Sequence, residues 1–269
     1  MGIVNVTPDS FADGGRDAEA AHAHARQLLE EGADIIDVGG ESTRPGAALV
    51  SEEEELGRVL PLIVRLVNCG KPVSVDTRRP AVMRAAIAAG AAMINDVEAL
   101  CAPGALEVLA ASDAAVCLMH MQGQPGTMQH SPKYADVVAE VFAYLRERIA
   151  ACRAAGIAET RLVIDPGFGF GKNLEQNLAL LRALDSFQKL QVPLLAGLSR
   201  KGILGMLTGR PVSQRMPASI AAALAAVARG AKIVRVHDVA ATVDALKLWQ
   251  AIRADPAPYR PVTDADKPI

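Results

Sequence analysis

Short strand-forming runs alternate with Ala/Leu-rich helical runs from one end of this chain to the other, and the alternation repeats eight times. The strand candidates are Gly2–Val6, Asp34–Val38, Pro72–Val75, Ala92–Asn95, Ala115–Met119, Leu162–Ile164, Pro193–Ala196 and Lys232–Val236. Most are apolar on successive residues, not on every second one. Strands of that kind are buried on both faces, as inside a parallel sheet covered by helices. A chain of 269 residues with eight strand–helix units suits a single closed α/β barrel of the (β/α)₈ (TIM) type, which takes about 250 residues. An open doubly wound sheet is the alternative. Periodicity does not separate the two, and the count of eight favours the barrel.

Local signals mark the element ends. Gly32, Gly90, Gly156 and Gly230 each stand just before a strand, where the end of a helix calls for positive φ. Ser51 followed by Glu54 reads as a capping box. From Asp255 onward the chain carries Pro256, Pro258, Pro261 and Pro268 among polar residues. The expected organisation is therefore one barrel domain, 1–254, and an irregular tail, 255–269. The chain opens directly in the first strand, so nothing ahead of it is expected to plug the barrel floor.

Composition excludes several classes. A hydrophobic fraction of 51% and a net charge of -2 fit a folded core and give no global basic field for a nucleic acid. The apolar stretch Ile220–Ala228 is far too short to span a bilayer. Cys69, Cys101, Cys117 and Cys152 are dispersed and form no C-x-x-C pair, which reads as small buried hydrophobes in a reducing compartment. A soluble, cytoplasmic protein with neither a nucleic-acid nor a membrane partner is expected.

In a barrel, chemistry sits at the C-terminal ends of the strands. Here those ends read Asn5, Asp37, Asp76, Asn95-Asp96, His120, Asp165, Ser199-Arg200-Lys201 and Arg235-Val236-His237-Asp238. Any one of them could cap the following helix, and Asp76, Asp96 and Asp238 fit that role well. A polar group at the end of all eight units is better explained by a pocket for a polar ligand. Asp76, Asn95, Asp165 and Lys201 suit a flat heterocycle with several N–H donors and a ring carbonyl. Arg44, Arg235 and His237, with Asn5 nearby, suit an oxyanion such as pyrophosphate. No tight His/Asp/Glu triple marks a protein-built metal cage, so any metal would be Mg²⁺ held mainly by substrate phosphates and water.

Two phosphate-loop motifs fail. In Gly167-Phe168-Gly169-Phe170-Gly171-Lys172, a Walker loop would need Gly at Pro166 and Ser or Thr at Asn173, and a dinucleotide fingerprint would need Gly at Lys172. A flexible glycine turn after strand six is the expectation there. Thr7–Asp17 and Gly39–Val50 exceed the usual βα loop of about 2–6 residues and read as lids or substrate loops. Met121–Lys133 reads either as a third such loop or as plain surface.

Seven segments together carry a resemblance: Asn5-Val6-Thr7-Pro8-Asp9-Ser10-Phe11, Asp37-Val38-Gly39-Gly40-Glu41-Ser42-Thr43-Arg44-Pro45, Val75-Asp76-Thr77, Ile94-Asn95-Asp96, Asp165 through Lys172, Ser199-Arg200-Lys201 and Arg235-Val236-His237-Asp238. In these the chain resembles the bacterial dihydropteroate synthases, a pterin-binding family, from Met1 to about Ala251. The resemblance implies a (β/α)₈ barrel acting as a homodimer. It also implies a transferase that joins 6-hydroxymethyl-7,8-dihydropterin pyrophosphate to p-aminobenzoate, giving 7,8-dihydropteroate and pyrophosphate. By position it implies that Asp76, Asn95, Asp165 and Lys201 read the pterin, and that Asn5 helps hold Mg²⁺ with the pyrophosphate. Thr43, Arg44, Arg235 and His237 would contact the pyrophosphate. Phe11, Pro45, Phe170 and Ser199 would line the p-aminobenzoate pocket, where sulfonamides would compete. Asp9 would stabilise the reacting cation. The catalytic set so implied is Asp9, Asp165, Lys201, Arg235 and His237. The family's usual N-terminal strand pair has no counterpart ahead of Met1.

The implied chemistry is coherent. Pyrophosphate leaves once its charge is taken up, the positive charge left on the pterin methylene is lowered in energy by carboxylates, and an aniline attacks without a strong base. No nucleophile or triad is then needed. Two other readings share parts of the pattern. A pterin-binding barrel that methylates a corrinoid needs no pyrophosphate site, and a non-catalytic pterin-binding subunit needs no full set of loops.

Overall fold

The computed structural model describes residues 1–6, 17–41, 50–123, 128 and 132–253. Among the described residues eight strands run in chain order: β1 (Gly2–Asn5), β2 (Ile36–Gly39), β3 (Val73–Asp76), β4 (Met93–Asp96), β5 (Ala115–Met119), β6 (Leu162–Asp165), β7 (Leu195–Ala196) and β8 (Ile233–Val234). The α-helices are α1 (Asp17–Glu30), α2 (Glu52–Leu66), α3 (Pro80–Ala88), α4 (Ala105–Ala110), α5 (Val137–Ala154), α6 (Leu174–Arg182), α7 (Gly202–Thr208), α8 (Met216–Ala228) and α9 (Val239–Arg253).

Strands β1 to β6 form one parallel sheet in sequence order, and β7 pairs with β8 in parallel. Single bridges join the two pieces at both ends, Ile164 to Leu194 and Gly2 to Val236. Ile164 N–H donates to Pro193 O at 2.9 Å, Ile3 N–H to Val236 O at 3.1 Å, and Val236 N–H to Met1 O at 2.9 Å. The ring is closed, as the count of eight units implies. The seventh strand is shorter than its apolar run because Pro193 has no N–H to give to the ladder.

Two apolar layers account for the doubly buried strands. One set of side chains, among them Val4, Val38, Val75, Ile94, Leu118 and Ile164, packs with the helices. The opposite set fills the barrel interior: Met1, Met93, Cys117, Val163 and Leu195 form a separate cluster, with Ile35, Ala115 and Ile233 beside it. The floor is thus filled from within. Met1 lies in it, and its ammonium donates to Val234 O at 3.0 Å.

Gly32, Gly90, Gly156 and Gly230 all have positive φ, between 86° and 102°. Ser51 Oγ accepts Glu54 N–H at 3.1 Å, but the Glu54 carboxylate pairs with Arg58 instead of reaching back, so only half of the box forms. A complete capping box stands instead at Asn173 and Gln176 on α6. Cys117 and Cys152 are buried as expected, whereas Cys101 is exposed. Among the described residues no helix is long and apolar enough to cross a membrane. Residues 254–269, the expected tail, lie outside the described residues.

Candidate active site

A strand points successive side chains to opposite faces, so a residue two places beyond a floor residue shares its face. Asn95 stands two beyond Met93, Asp165 two beyond Val163, Asp37 two beyond Ile35, and Arg235 two beyond Ile233. A polar layer therefore lies directly on the apolar floor. Arg235 ties it together: its Nε donates to Asp37 Oδ2 at 2.6 Å and its Nη2 to Asp76 Oδ2 at 2.8 Å. Asn95 Nδ2 donates to the same Asp37 oxygen at 3.3 Å. Asp37 is fully buried, and its Oδ1 has no partner among the described residues. Burial pushes the Asp76 carboxyl up to about 7, against the pull of Arg235 and with added repulsion from Asp37. Burial alone would lower the Arg235 pKa, but the paired carboxylates hold it above its ordinary value.

Asp165 forms the opposite wall. It is 5% exposed and accepts Gly167 N–H at 2.7 Å. Burial raises its pKa, while that hydrogen bond and the charges of Lys201, Lys172 and Arg235 oppose the rise. Burial lowers the Lys201 ammonium to about 8, with Asp165 opposing. Lys201 Nζ lies 4.1 Å from the centre of the Phe170 ring, a cation–π distance. Ser199 Oγ is 3.0 Å from His237 Nδ1 and accepts His237 N–H at 3.2 Å, which fixes the imidazole at the rim.

The glycine turn after β6 is tightly built and not a flexible one. Gly167, Gly169 and Gly171 have φ of 72°, 79° and 62°. A Cβ on Gly167 would lie 1.9 Å from His120 O, and one on Gly171 2.3 Å from Gln122 O. Only glycine allows β6's turn to approach the end of β5 that closely. Lys172, which ends the turn, is 2% exposed, and burial lowers its ammonium to about 7.

Asp76, Asn95, Asp165, Lys201, Arg235, Ser199, His237 and Phe170 are thus brought to one mouth. Asn5 ends β1 at the level of Gly39, Asp76 and Asn95. Asp9, Phe11, Thr43, Arg44 and Pro45 lie outside the described residues. Asp96 takes the capping role: its carboxylate accepts Glu98 N–H at 2.8 Å and Leu100 N–H at 2.7 Å. Asp238 pairs with Arg200.

Sequence reasoning gave no site role to Asp37 or Lys172, and it missed an ionic cluster beside the mouth. In that cluster Glu41 accepts from Arg78 Nε at 3.1 Å and from Arg79 Nη2 at 2.9 Å. Arg79 also bonds Val50 O at 2.6 Å and pairs with buried Glu55. Burial would raise the Glu41 pKa, but the two guanidiniums hold it below the ordinary carboxylate value. A charged residue in a doubly apolar strand was the available signal for Asp37; the Arg–Glu cluster has no local signal, because its partners lie on different βα units. Among the described residues no group of three His, Cys, Asp or Glu side chains could hold a metal ion.

A closed parallel barrel with an apolar floor and a mouth of buried carboxylates, amide and cations defines a (β/α)₈ enzyme of the kind that holds a polar heterocycle. Residues 1–237 match the family described as Pterin binding enzyme, and the chain belongs to that family. Among similar proteins, the dihydropteroate synthase of Neisseria meningitidis serogroup B is 57% identical over 261 residues, covering 94% of this chain and 92% of that one. A Xanthomonas albilineans dihydropteroate synthase solved with 4-aminobenzoic acid superposes with a TM-score of 0.90 at 59% identity, covering 95% of this chain and 93% of that one. The Yersinia pestis enzyme in a sulfonamide drug complex gives a TM-score of 0.91 at 50% identity, over 95% and 94% of the two chains.

Proposed function

We propose that this chain is a dihydropteroate synthase: it joins 6-hydroxymethyl-7,8-dihydropterin pyrophosphate to p-aminobenzoate and releases 7,8-dihydropteroate and pyrophosphate. The observation that carries the reading is the set of buried Asn95 and Asp165 with part-buried Asp76 and Lys201 around Arg235, in a chain 57% identical to a dihydropteroate synthase.

The carboxylates of Asp76 and Asp165 accept pterin N–H groups, Asn95 adds an amide, and the Lys201 ammonium donates to a ring acceptor. Arg235 and His237, with Thr43 and Arg44, face the pyrophosphate. The methylene C–O bond breaks and its electron pair leaves with the pyrophosphate. The positive charge then left on the methylene and the pterin ring lies beside the carboxylates of Asp165 and Asp9. The aniline nitrogen forms the new C–N bond and gives up one proton to solvent or phosphate. Phe170, Phe11, Pro45 and Ser199 enclose the p-aminobenzoate, and a sulfonamide's aniline would compete there.

Asn5 contributes a single amide, and no acidic cage stands beside it among the described residues. That donor set fits Mg²⁺ whose remaining ligands come from the substrate. When bound, Mg²⁺ supplies positive charge to the pyrophosphate oxygens.

The barrel is a single domain spanning 1–254 and works in the cytoplasm as a homodimer. Support for the dimer comes from apolar side chains exposed along α7, α8 and α9: Met206, Leu207, Met216, Leu248 and Ile252. Light scattering at twice the 28.2 kDa chain mass tests it. A pyrophosphate-release assay tests the reaction. Release should require the pterin pyrophosphate, p-aminobenzoate and Mg²⁺ together. Binding of pterin without turnover would reject the enzyme reading.

A further inference from the structure

Lys172 has no part in the chemistry above, yet it is a charged side chain that is 2% exposed. Its Nζ donates to Gly167 O and Phe170 O, each at 2.9 Å, and to His120 O at 3.3 Å. An ammonium has three donors, so all of them go to main-chain carbonyls. Among the described residues no carboxylate forms an ion pair with it. Burying a charge without a paired anion is costly, and an apolar side chain would fill the same space at less cost. What the ammonium supplies is a fixed geometry for three carbonyl groups that crowd one another.

Those carbonyls belong to the two ends of one tight turn and to the strand beside it. Phe170 N–H donates to Gly167 O at 3.1 Å, so residues 167–170 close on themselves. The turn's other anchors hold different groups: Tyr134 Oη donates to Gly171 O at 2.9 Å, and Asn177 Oδ1 accepts Gly169 N–H at 2.7 Å. Lys172 is therefore the side chain that fixes the Phe170 peptide against β5. The Phe170 ring in turn lies 4.1 Å from Lys201 Nζ.

We propose that Lys172 is a positioning residue for the second substrate: its three carbonyl bonds hold the 167–172 turn so that the Phe170 ring presents a fixed wall beside Lys201 for the p-aminobenzoate ring. This rests on the functional reading given above. Asp165 sits on β6, and its neighbours in the ladder hold it in place without Lys172. Lys172 reaches the pterin side through its charge on Asp165 and through the Gly167 peptide, whereas it bonds the Phe170 carbonyl directly, so the Phe170 wall depends on it most.

The test uses the full chain with Lys172→Met, Lys172→Gln and Phe170→Ala, and the double variant Phe170→Ala/Lys172→Met. Steady-state pyrophosphate release gives the KM for p-aminobenzoate, and calorimetry gives the affinity for pterin pyrophosphate. The wild-type chain is the control for the functional reading: no p-aminobenzoate-dependent turnover there would overturn that reading and the substrate named here. With the wild type active, Lys172→Met should raise the p-aminobenzoate KM about tenfold and leave pterin affinity within threefold. In the Phe170→Ala background it should add less than twofold, because the wall it positions is already gone. Unchanged KM in a folded Lys172→Met variant, or equal losses for both substrates, would overturn the proposal. So would full additivity in the double variant. If Lys172→Met fails to fold, Lys172→Gln is read by the same criteria.

Discussion

Replacing Asp165 by Asn should separate activity from stability. The two side chains have the same shape, and the amide oxygen of Asn can still accept Gly167 N–H, now 2.7 Å from Asp165 Oδ1. What is lost is the negative charge. A hydrogen bond to a charged group contributes about 1.5–3 kcal/mol, and about 1.4 kcal/mol is a factor of ten. The catalytic efficiency for pterin pyrophosphate should therefore fall by about 10- to 150-fold, more if the carboxylate also lowers the energy of the departing cation.

Stability should move little or even rise. Burial is the largest influence on Asp165 and raises its pKa in spite of Lys201, Lys172 and Arg235. A raised pKa means that the folded protein binds more protons than the unfolded chain just above the ordinary carboxylate value. Its contribution to stability then declines as pH rises through that window. Asn removes this slope. Thermal melts of the two proteins should agree at low pH, and the variant should melt no lower than the wild type near neutrality. A folded variant with unchanged kcat/KM would refute the pterin assignment. A variant that melts far lower at neutral pH would refute the account of burial.

Three further outcomes follow from the same geometry. Because burial holds Asp76 at about 7, its ionised fraction grows from pH 6 to 8, so kcat/KM for the pterin should rise across that interval, and Asp76→Asn should remove the limb; a limb surviving in that variant would assign it elsewhere. Chelation should abolish turnover without lowering the melting temperature, since no protein-built metal cage exists among the described residues; a stoichiometric metal in the substrate-free protein, found by elemental analysis, would contradict this. Sulfonamides should bind measurably tighter by calorimetry once pyrophosphate and Mg²⁺ are present and should compete with p-aminobenzoate but not with the pterin; equal affinity in both conditions would reject a second-substrate pocket completed by the first.

Much of the barrel was legible because its strands are buried twice over. Continuous apolar runs located all eight strands, and glycines marked where helices end. The site was legible to the extent that polar residues end those runs. A capping role fitted Asp76 and Asp96 alike in the sequence, since each closes a strand and precedes a turn. Ladder register decides: Asp76 is level with Asn5 and Asn95, whereas Asp96 extends one place beyond and caps the next turn. The glycines of 167–171 were misread as freedom because their constraint comes from His120 and Gln122, far away in the chain. Asp37 was noted at a strand end but given no individual role, because only the closed ring brings Arg235 beside it, across 198 residues.

The order of layers along the barrel axis gives the reaction its setting. Beneath the mouth lies the apolar cluster of Met1, Met93, Cys117, Val163 and Leu195, a low-dielectric layer that screens the charges above it weakly. In the polar layer the carboxyl groups of Asp37, Asp76 and Asp165 stand near Arg235 and Lys201. Such a site is divided in charge. Arg235 is gripped by the carboxyl groups of Asp37 and Asp76 and stays charged; on the proposed reading it draws the pyrophosphate, while Asp165 lies on the side of the pterin cation. A substrate that divides into an anion and a cation finds complementary charge for each part already oriented, with little reorganisation left for the moment of bond breaking. On the proposed reading this arrangement makes a nucleophilic side chain unnecessary.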